Sequence, residues 1–278
     1  MGINNSLPIG IFDSGVGGLT VLNALKNRLP NEDFIYLGDT ARVPYGTKSA
    51  ESVIRYAEQA AALLASRQIK LLIIACNTAS AVAIKPLSEL YPGLNVIGVI
   101  EPGAIASLDA TKSGHIAVIA TEGTVNNQAY EKAILARSPN AKVSAQACSL
   151  FVALAEEGWC EGELVEQIIE RYISRFDHGS LNIDTMVLGC THFPVLKSAI
   201  NNVIGNEITL VDSAEVTAIE VEKRLLENNL SHEQKLGKVK FLVTDDPQRF
   251  VRVANHFYKD RIKLSDVELV DIQHYQVP

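Results

Sequence analysis

Two short stretches carry the residue groupings best suited to chemistry. Ala75-Cys76-Asn77-Thr78-Ala79 sets a thiol, a carboxamide and a hydroxyl side by side. Gly189-Cys190-Thr191-His192-Phe193-Pro194 does the same with a thiol, a hydroxyl and an imidazole. Each cysteine follows a short apolar run and precedes a helical pattern. A thiol there lies near free backbone N–H groups and the positive end of a helix dipole, which favour its ionised form. Asn77 and Thr78 could hold a carboxylate together with those amides. His192 adds a group that titrates near neutrality. Taken singly, Cys76 reads as well as a small buried residue ending a strand, with Asn77–Thr78 an ordinary helix cap. Two such turns in one chain favour a functional pair. The pair could form a disulfide, share a zinc ion with His192, or supply a Cys190–His192 nucleophile for acyl transfer. It could also move protons on both faces of one carbon. A free thiol of pKa about 8.5 is only a few per cent ionised at neutral pH, so proton transfer needs surroundings that correct it.

Other polar turns stand at comparable places. Asp13-Ser14-Gly15-Val16-Gly17-Gly18 follows the first apolar run, but Thr20 breaks the G-x-G-x-x-G spacing of a dinucleotide site. Its glycines would instead let the backbone approach a small ligand bound by Ser14, with Asp13 pairing an ammonium or tuning a thiol. The loop Gly38–Gly46, with Pro44, Tyr45 and Gly46 at its end, reads as a lid or as a surface loop with a solvated Asp39–Arg42 pair. Thr121, Glu122, Gly123 and Thr124 form a turn like that at Asp13. Glu156 and Glu157 read as a solvated helix end, from which one carboxylate could orient His192.

These turns need a frame. Short runs rich in Ile and Val (Pro8–Asp13, Phe34–Leu37, Lys70–Ala75, Asn95–Val99, His115–Ala120, Lys142–Ala147, Thr185–Leu188, Ile208–Asp212, Lys238–Thr244) alternate with helical periodicity. Helices are expected over Gly17–Asn27, Ala50–Arg67, Thr78–Leu90, Val125–Ala136, Gly162–Phe176, Val195–Ile204, Ala214–Asn228 and Asp246–Phe257. The beat predicts an α/β fold of mostly parallel sheets, doubly wound in two halves. A faint repeat supports two halves: Asp13 precedes Cys76 by 63 residues and Thr121 precedes Cys190 by 69. In open α/β sheets ligands bind at the strands' carboxyl ends, where all four residues fall.

The bulk composition narrows the class. The chain has 278 residues, 47% hydrophobic and 21% charged, and a net charge of −7. That is the balance of a globular protein of one large or two modest domains. The acidic charge disfavours general nucleic-acid binding. No apolar run approaches the roughly 20 residues that span a bilayer. Met1–Pro8 lacks the pattern of a signal peptide, so a cytoplasmic location and free thiols at Cys76, Cys148, Cys160 and Cys190 are expected.

The motifs GIFDSGVGGLTVL, GDTARVPYG, ACNTAS, TEGT and LGCTHFPVL, in this order, closely resemble those of the glutamate racemases. These are cofactor-independent bacterial enzymes of the Asp/Glu racemase superfamily. The later VTDDPQRF also resembles the family's last strand and helix. The resemblance implies two α/β domains related by a pseudo-two-fold, with the active site in the cleft between them. Residues 1–96 plus 212–278 would form the first and 97–211 the second. It implies interconversion of L- and D-glutamate for peptidoglycan, with no cofactor and no metal. Cys76 and Cys190 match the two thiol acid/base residues, the first acting on the D-form and the second on the L-form. Asp13, His192 and Glu156 match assisting catalytic residues. Asp13, Ser14, Pro44, Tyr45, Gly46, Cys76, Asn77, Thr78, Thr121, Thr124, Cys190, Thr191 and His192 match substrate-binding positions. The resemblance leaves open a homodimer and a peptidoglycan-precursor activator. An aspartate racemase, a Cys190-centred acyl-transfer hydrolase and a non-catalytic binding protein are the competing readings.

Overall fold

The computed structural model describes residues 5–176, 182–232 and 236–275. In chain order the strands are β1 Ile9–Asp13, β2 Phe34–Gly38, β3 Leu71–Ile74, β4 Asn95–Gly98, β5 His115–Ala120, β6 Lys142–Ala147, β7 Thr185–Gly189, β8 Thr209–Asp212, β9 Val239–Val243 and β10 Val267–Leu269. The helices are α1 Leu19–Arg28, α2 Ala50–Ser66, α3 Asn77–Leu90, α4 Ile100–Ala110, α5 Glu122–Asn126, α6 Ala129–Arg137, α7 Leu150–Glu156, α8 Glu163–Ile173, α9 Lys197–Ile204, α10 Ser213–Glu227 and α11 Pro247–Ala254.

The strands form two sheets, ordered β10-β9-β2-β1-β3-β4 and β6-β5-β7-β8, and every pairing is parallel. Strands β1, β2, β3, β5 and β7 are buried along their whole length, as expected of parallel strands covered on both faces. Apolar side chains of α1, α10 and α11 pack on one face of the first sheet, and those of α2 and α3 on the other. The second sheet is covered by α7, α8 and α9 on one side and by α4 and α6 on the other.

The repeat seen faintly in the sequence is a repeat of topology. The order β2-β1-β3-β4 recurs as β6-β5-β7-β8. In each sheet the first and third strands of the unit lie side by side, and the connections leave in opposite directions from that pair. This is the switch point where α/β sheets open a crevice. Asp13 and Cys76 end or follow the pair in one sheet; Thr121 and Cys190 follow it in the other.

Several elements differ from the sequence pattern. Helix α4 carries Pro102 and Gly103, which obscure it. Pro102 falls in the first turn, where a helix needs no amide donor, so it is tolerated there. Helix α7 also lies where periodicity assigned none. The single helix expected over Val125–Ala136 is two, α5 and α6, separated by Gln128 at φ 52°. The 96/97 division falls inside β4, which belongs whole to the first sheet, and the 211/212 division falls inside β8, which belongs whole to the second. Residues 1–4, 177–181, 233–235 and 276–278 of the expected domains lie outside the described residues.

One buried pair fastens the returning chain. Lys70, fully buried at the foot of β3, donates to Glu32 Oε2 (2.5 Å), Asn5 O (2.7 Å) and Leu230 O (2.7 Å). Glu32 Oε1 accepts the His232 amide at 2.8 Å. Charges taken out of water need all of these partners. Replacing Lys70 by Met would strand the Glu32 carboxylate. Urea unfolding should then show a loss of about 3–5 kcal/mol, and a loss below about 1 kcal/mol would contradict this role.

Candidate active site

Cys76 leaves β3 in an extended conformation (φ −62°, ψ 120°) and caps α3, its carbonyl accepting the Ser80 amide at 2.8 Å. The thiol is only 5% exposed. Burial pushes its pKa up to about 12, with the Asp13 carboxylate and the Cys190 charge adding to the rise. The Ala79 amide and Ser14 hydroxyl pull the other way. The helix-start argument for an ionised Cys76 is therefore outweighed by desolvation: the free site holds a proton on sulfur.

Asp13 is itself fully buried at the end of β1. Its Oδ2 accepts the Gly15 amide at 2.9 Å and lies 3.5 Å from the Tyr36 hydroxyl, while Oδ1 is buried without a hydrogen-bond partner. Such an oxygen costs free energy unless a ligand donates to it. Ser14 and Gly15 line the same turn.

Cys190 follows β7 but does not begin an α-helix. The chain passes through a 3-10 turn over Phe193–Leu196, with Pro194 at its start, before α9. The compensation comes from His192, whose Nδ1 is 3.9 Å from Cys190 Sγ and whose Nε2 is 3.2 Å from Glu156 Oε1. Burial alone would lower the imidazole's pKa. Its contacts with Cys190 and Glu156 outweigh burial and raise it to about 10. Glu156, on α7, resists protonation despite its own desolvation, because His192 and Arg249 both favour its charge. Arg249 reaches it from α11 at 2.9 Å. Glu156 is thus tied in at the site, while Glu157 remains exposed.

The two sets of turns meet. Thr20 donates its hydroxyl to Thr191 O at 3.0 Å. A Cβ on Gly17 would lie 2.4 Å from both His192 Nδ1 and Thr191 Oγ1, so this contact admits only glycine. Thr78 Oγ1 shares a 2.8 Å hydrogen bond with Thr121 Oγ1, and Thr124 Oγ1 lies 3.1 Å from Thr121 Oγ1. Gly46 faces Thr121 from the loop after β2. Asn77 is 2% exposed, and its Nδ2 has no hydrogen-bond partner. Asp13, Ser14, Asn77, Thr78, Thr121, Thr124, Thr191, His192 and both thiols thus converge where the sheets' carboxyl ends oppose each other.

The Asp39–Arg42 pair of the Gly38–Gly46 loop is not solvated. Asp39 is fully buried and takes hydrogen bonds from the Tyr45 hydroxyl, Arg42 Nε (2.6 Å) and Thr244 Oγ1 (2.8 Å). Tyr45 packs on Phe12 and Tyr56, so its hydroxyl is committed to the loop's own scaffold. Pro44 is exposed, and Gly46 faces the other lobe.

Sequence reasoning assigned no role to Arg249, Thr20, Tyr36 or Tyr130. Arg249 sits within VTDDPQRF, a motif with no local sign of its partner. Among the described residues no group of three or more His, Cys, Asp or Glu is arranged to hold a metal ion. None of the described helices is long and apolar enough to cross a membrane.

Two covered parallel sheets, each with a cysteine turn at its carboxyl end and joined beside those turns by Thr20–Thr191 and Thr78–Thr121, make a two-lobed α/β fold. The chain belongs to the Asp/Glu/Hydantoin racemase family, whose model matches residues 17–221. It is 49% identical over 266 residues to the glutamate racemase of Geobacter metallireducens, covering 95% of this chain and 97% of that protein. Among solved structures it resembles the glutamate racemase of Francisella tularensis in complex with D-glutamate. That match has a TM-score of 0.91 and 38% identity, covering 98% and 100% of the two chains. The Escherichia coli glutamate racemase, solved with L-glutamate and the activator UDP-MurNAc-ala, matches at a TM-score of 0.74 and 26% identity, over 91% and 96%.

The charged His192 stabilises the fold fully below its unfolded pKa near 6.5, and that contribution is lost as pH rises through about 10. Glu156→Gln should lower the imidazole's proton affinity by about tenfold or more. Proton NMR of the ring Cε1–H across pH 5–10 would read the change. An unaltered titration would contradict the Glu156–His192 coupling.

Proposed function

We propose that this chain interconverts L- and D-glutamate by a two-base proton transfer between Cys76 and Cys190. The observation that carries the reading is the convergence of the two thiol turns on one buried crevice, in a chain 49% identical to a glutamate racemase. One thiolate removes the α-proton while the opposed thiol delivers a proton to the other face, so the carbon inverts. Cys76 acts on D-glutamate and Cys190 on L-glutamate. Asp13 serves Cys76, and His192, held by Glu156, serves Cys190 as proton partner and local positive charge. Asn77, Thr78, Ser14, Thr121, Thr124, Thr191 and the Pro44–Gly46 backbone bind the amino acid. The α-carbon beside a carboxylate is a very weak acid, so fixed dipoles and exclusion of water must stabilise its carbanion character.

The working lobes are residues 1–98 plus 213–278 and residues 99–212, which keeps β4 whole in the first sheet and β8 whole in the second. The recurring strand order supports this division. The enzyme acts in the cytoplasm, its product feeding peptidoglycan, and the four free cysteines fit that compartment. Control by a nucleotide precursor is the regulatory reading, supported by the Escherichia coli complex. Activity with and without UDP-MurNAc-Ala decides it.

A panel of L-Glu, L-Asp and L-Gln followed by polarimetry should show racemisation of glutamate in preference to the others. Faster turnover of aspartate would contradict the substrate assignment. Cys76→Ala and Cys190→Ala should each lower glutamate racemisation by about 10³-fold or more. An active Cys76→Ala enzyme would overturn the two-base scheme and favour a hydrolase centred on Cys190.

A further inference from the structure

Tyr130 is a large, fully buried side chain on α6 that the reaction does not itself require. Its hydroxyl donates to Asn77 Oδ1 at 2.8 Å, crossing from the second sheet's layer to the first residue of α3. The ring runs through a slot that side chains would close. A Cβ on Gly189, the residue before Cys190, would lie 2.9 Å from Tyr130 Cε2. One on Gly103 of α4 would lie 3.1 Å from Tyr130 Cε1. The ring is therefore fixed against the turn that carries one thiol, and the hydroxyl against the residue after the other.

An amide side chain has two faces of opposite character, an oxygen that accepts and a nitrogen that donates. By donating to Oδ1, the phenol fixes which one faces away from it. The nitrogen left over is buried, with no protein partner. An unmet buried donor costs about 1–3 kcal/mol, a cost relieved when a bound group accepts from it. A carboxylate oxygen is such a group.

We propose that Tyr130 is a positioning residue: it sets the Asn77 amide with its N–H groups toward the substrate carboxylate and keys that donor to the Cys190 turn. This rests on the glutamate-racemase reading above. Tyr130 touches no reacting atom in the scheme. It ties the binding donor of one lobe to the turn that carries the other lobe's thiol.

Tyr130→Phe keeps the ring and removes one oxygen. It should raise KM for both L- and D-glutamate about tenfold while kcat changes less than about threefold. In an Asn77→Ala background the same substitution should leave KM unchanged, because the group it positions is gone. An unchanged KM in Tyr130→Phe, or the same rise in both backgrounds, would overturn the proposal, since a purely structural role gives additive effects. If Tyr130→Phe does not fold, 3-fluorotyrosine at position 130 replaces it. That near-isosteric phenol is a stronger donor and should alter KM only when Asn77 is present. Wild-type enzyme that fails to racemise glutamate would contradict the activity reading. Wild-type turnover with unaltered variant kinetics contradicts the Tyr130 assignment alone.

Discussion

Desolvation of a thiol is the constraint around which this crevice is built. Burial drives the Cys76 pKa up to about 12, and the neighbouring Asp13 carboxylate pushes the same way. At Cys190 the neighbour is instead an imidazole raised to about 10, so a positive charge stands 3.9 Å from the sulfur at neutral pH. The two sulfurs are equivalent by topology and opposite by electrostatic environment. One sulfur stands beside a carboxylate and the other beside an imidazole, so the two faces of a bound carbon would meet unlike proton partners. The dryness that makes the thiols hard to ionise also makes each fixed dipole more effective.

The fold supplies this opposition by repetition. One strand order, used twice, brings a polar turn and a cysteine turn to each switch point. The lobes are then joined by contacts around the crevice: Thr20 to Thr191, Thr78 to Thr121, Tyr130 to Asn77 and Arg249 to Glu156. Three of these involve a residue in, or next to, the set that would touch substrate. The contacts that join the lobes are therefore also the contacts that organise the site. Asp39, Arg42 and Tyr45 lock the loop after β2 from behind, so its backbone rather than its phenol faces the crevice.

The cysteine turns were legible in the sequence because their chemistry is local: thiol, amide, hydroxyl and imidazole are consecutive, and the strands before them are unbroken apolar runs. The halves were legible for the same reason. The cross-lobe partners were not. Arg249 meets Glu156 across 93 positions and Thr20 meets Thr191 across 171, and neither residue carries a local mark of its role. Lys70 read as the start of an apolar strand, yet it is a buried cation serving three carbonyl or carboxylate oxygens. Burial also reversed an expectation. Helix-start dipoles suggested an easily ionised Cys76, and the depth of the crevice, which no local pattern encodes, made it the opposite.

The central claim is that two separate groups serve the two faces of one carbon. It is tested most directly by racemising each enantiomer of glutamate in deuterated water and stopping at low conversion. The account predicts α-deuterium in the newly formed enantiomer and almost none in the remaining starting enantiomer, because the proton removed and the proton delivered belong to different thiols. Equal deuterium in both at early times would mean a single group exchanging with solvent and returning to either face, and would contradict it.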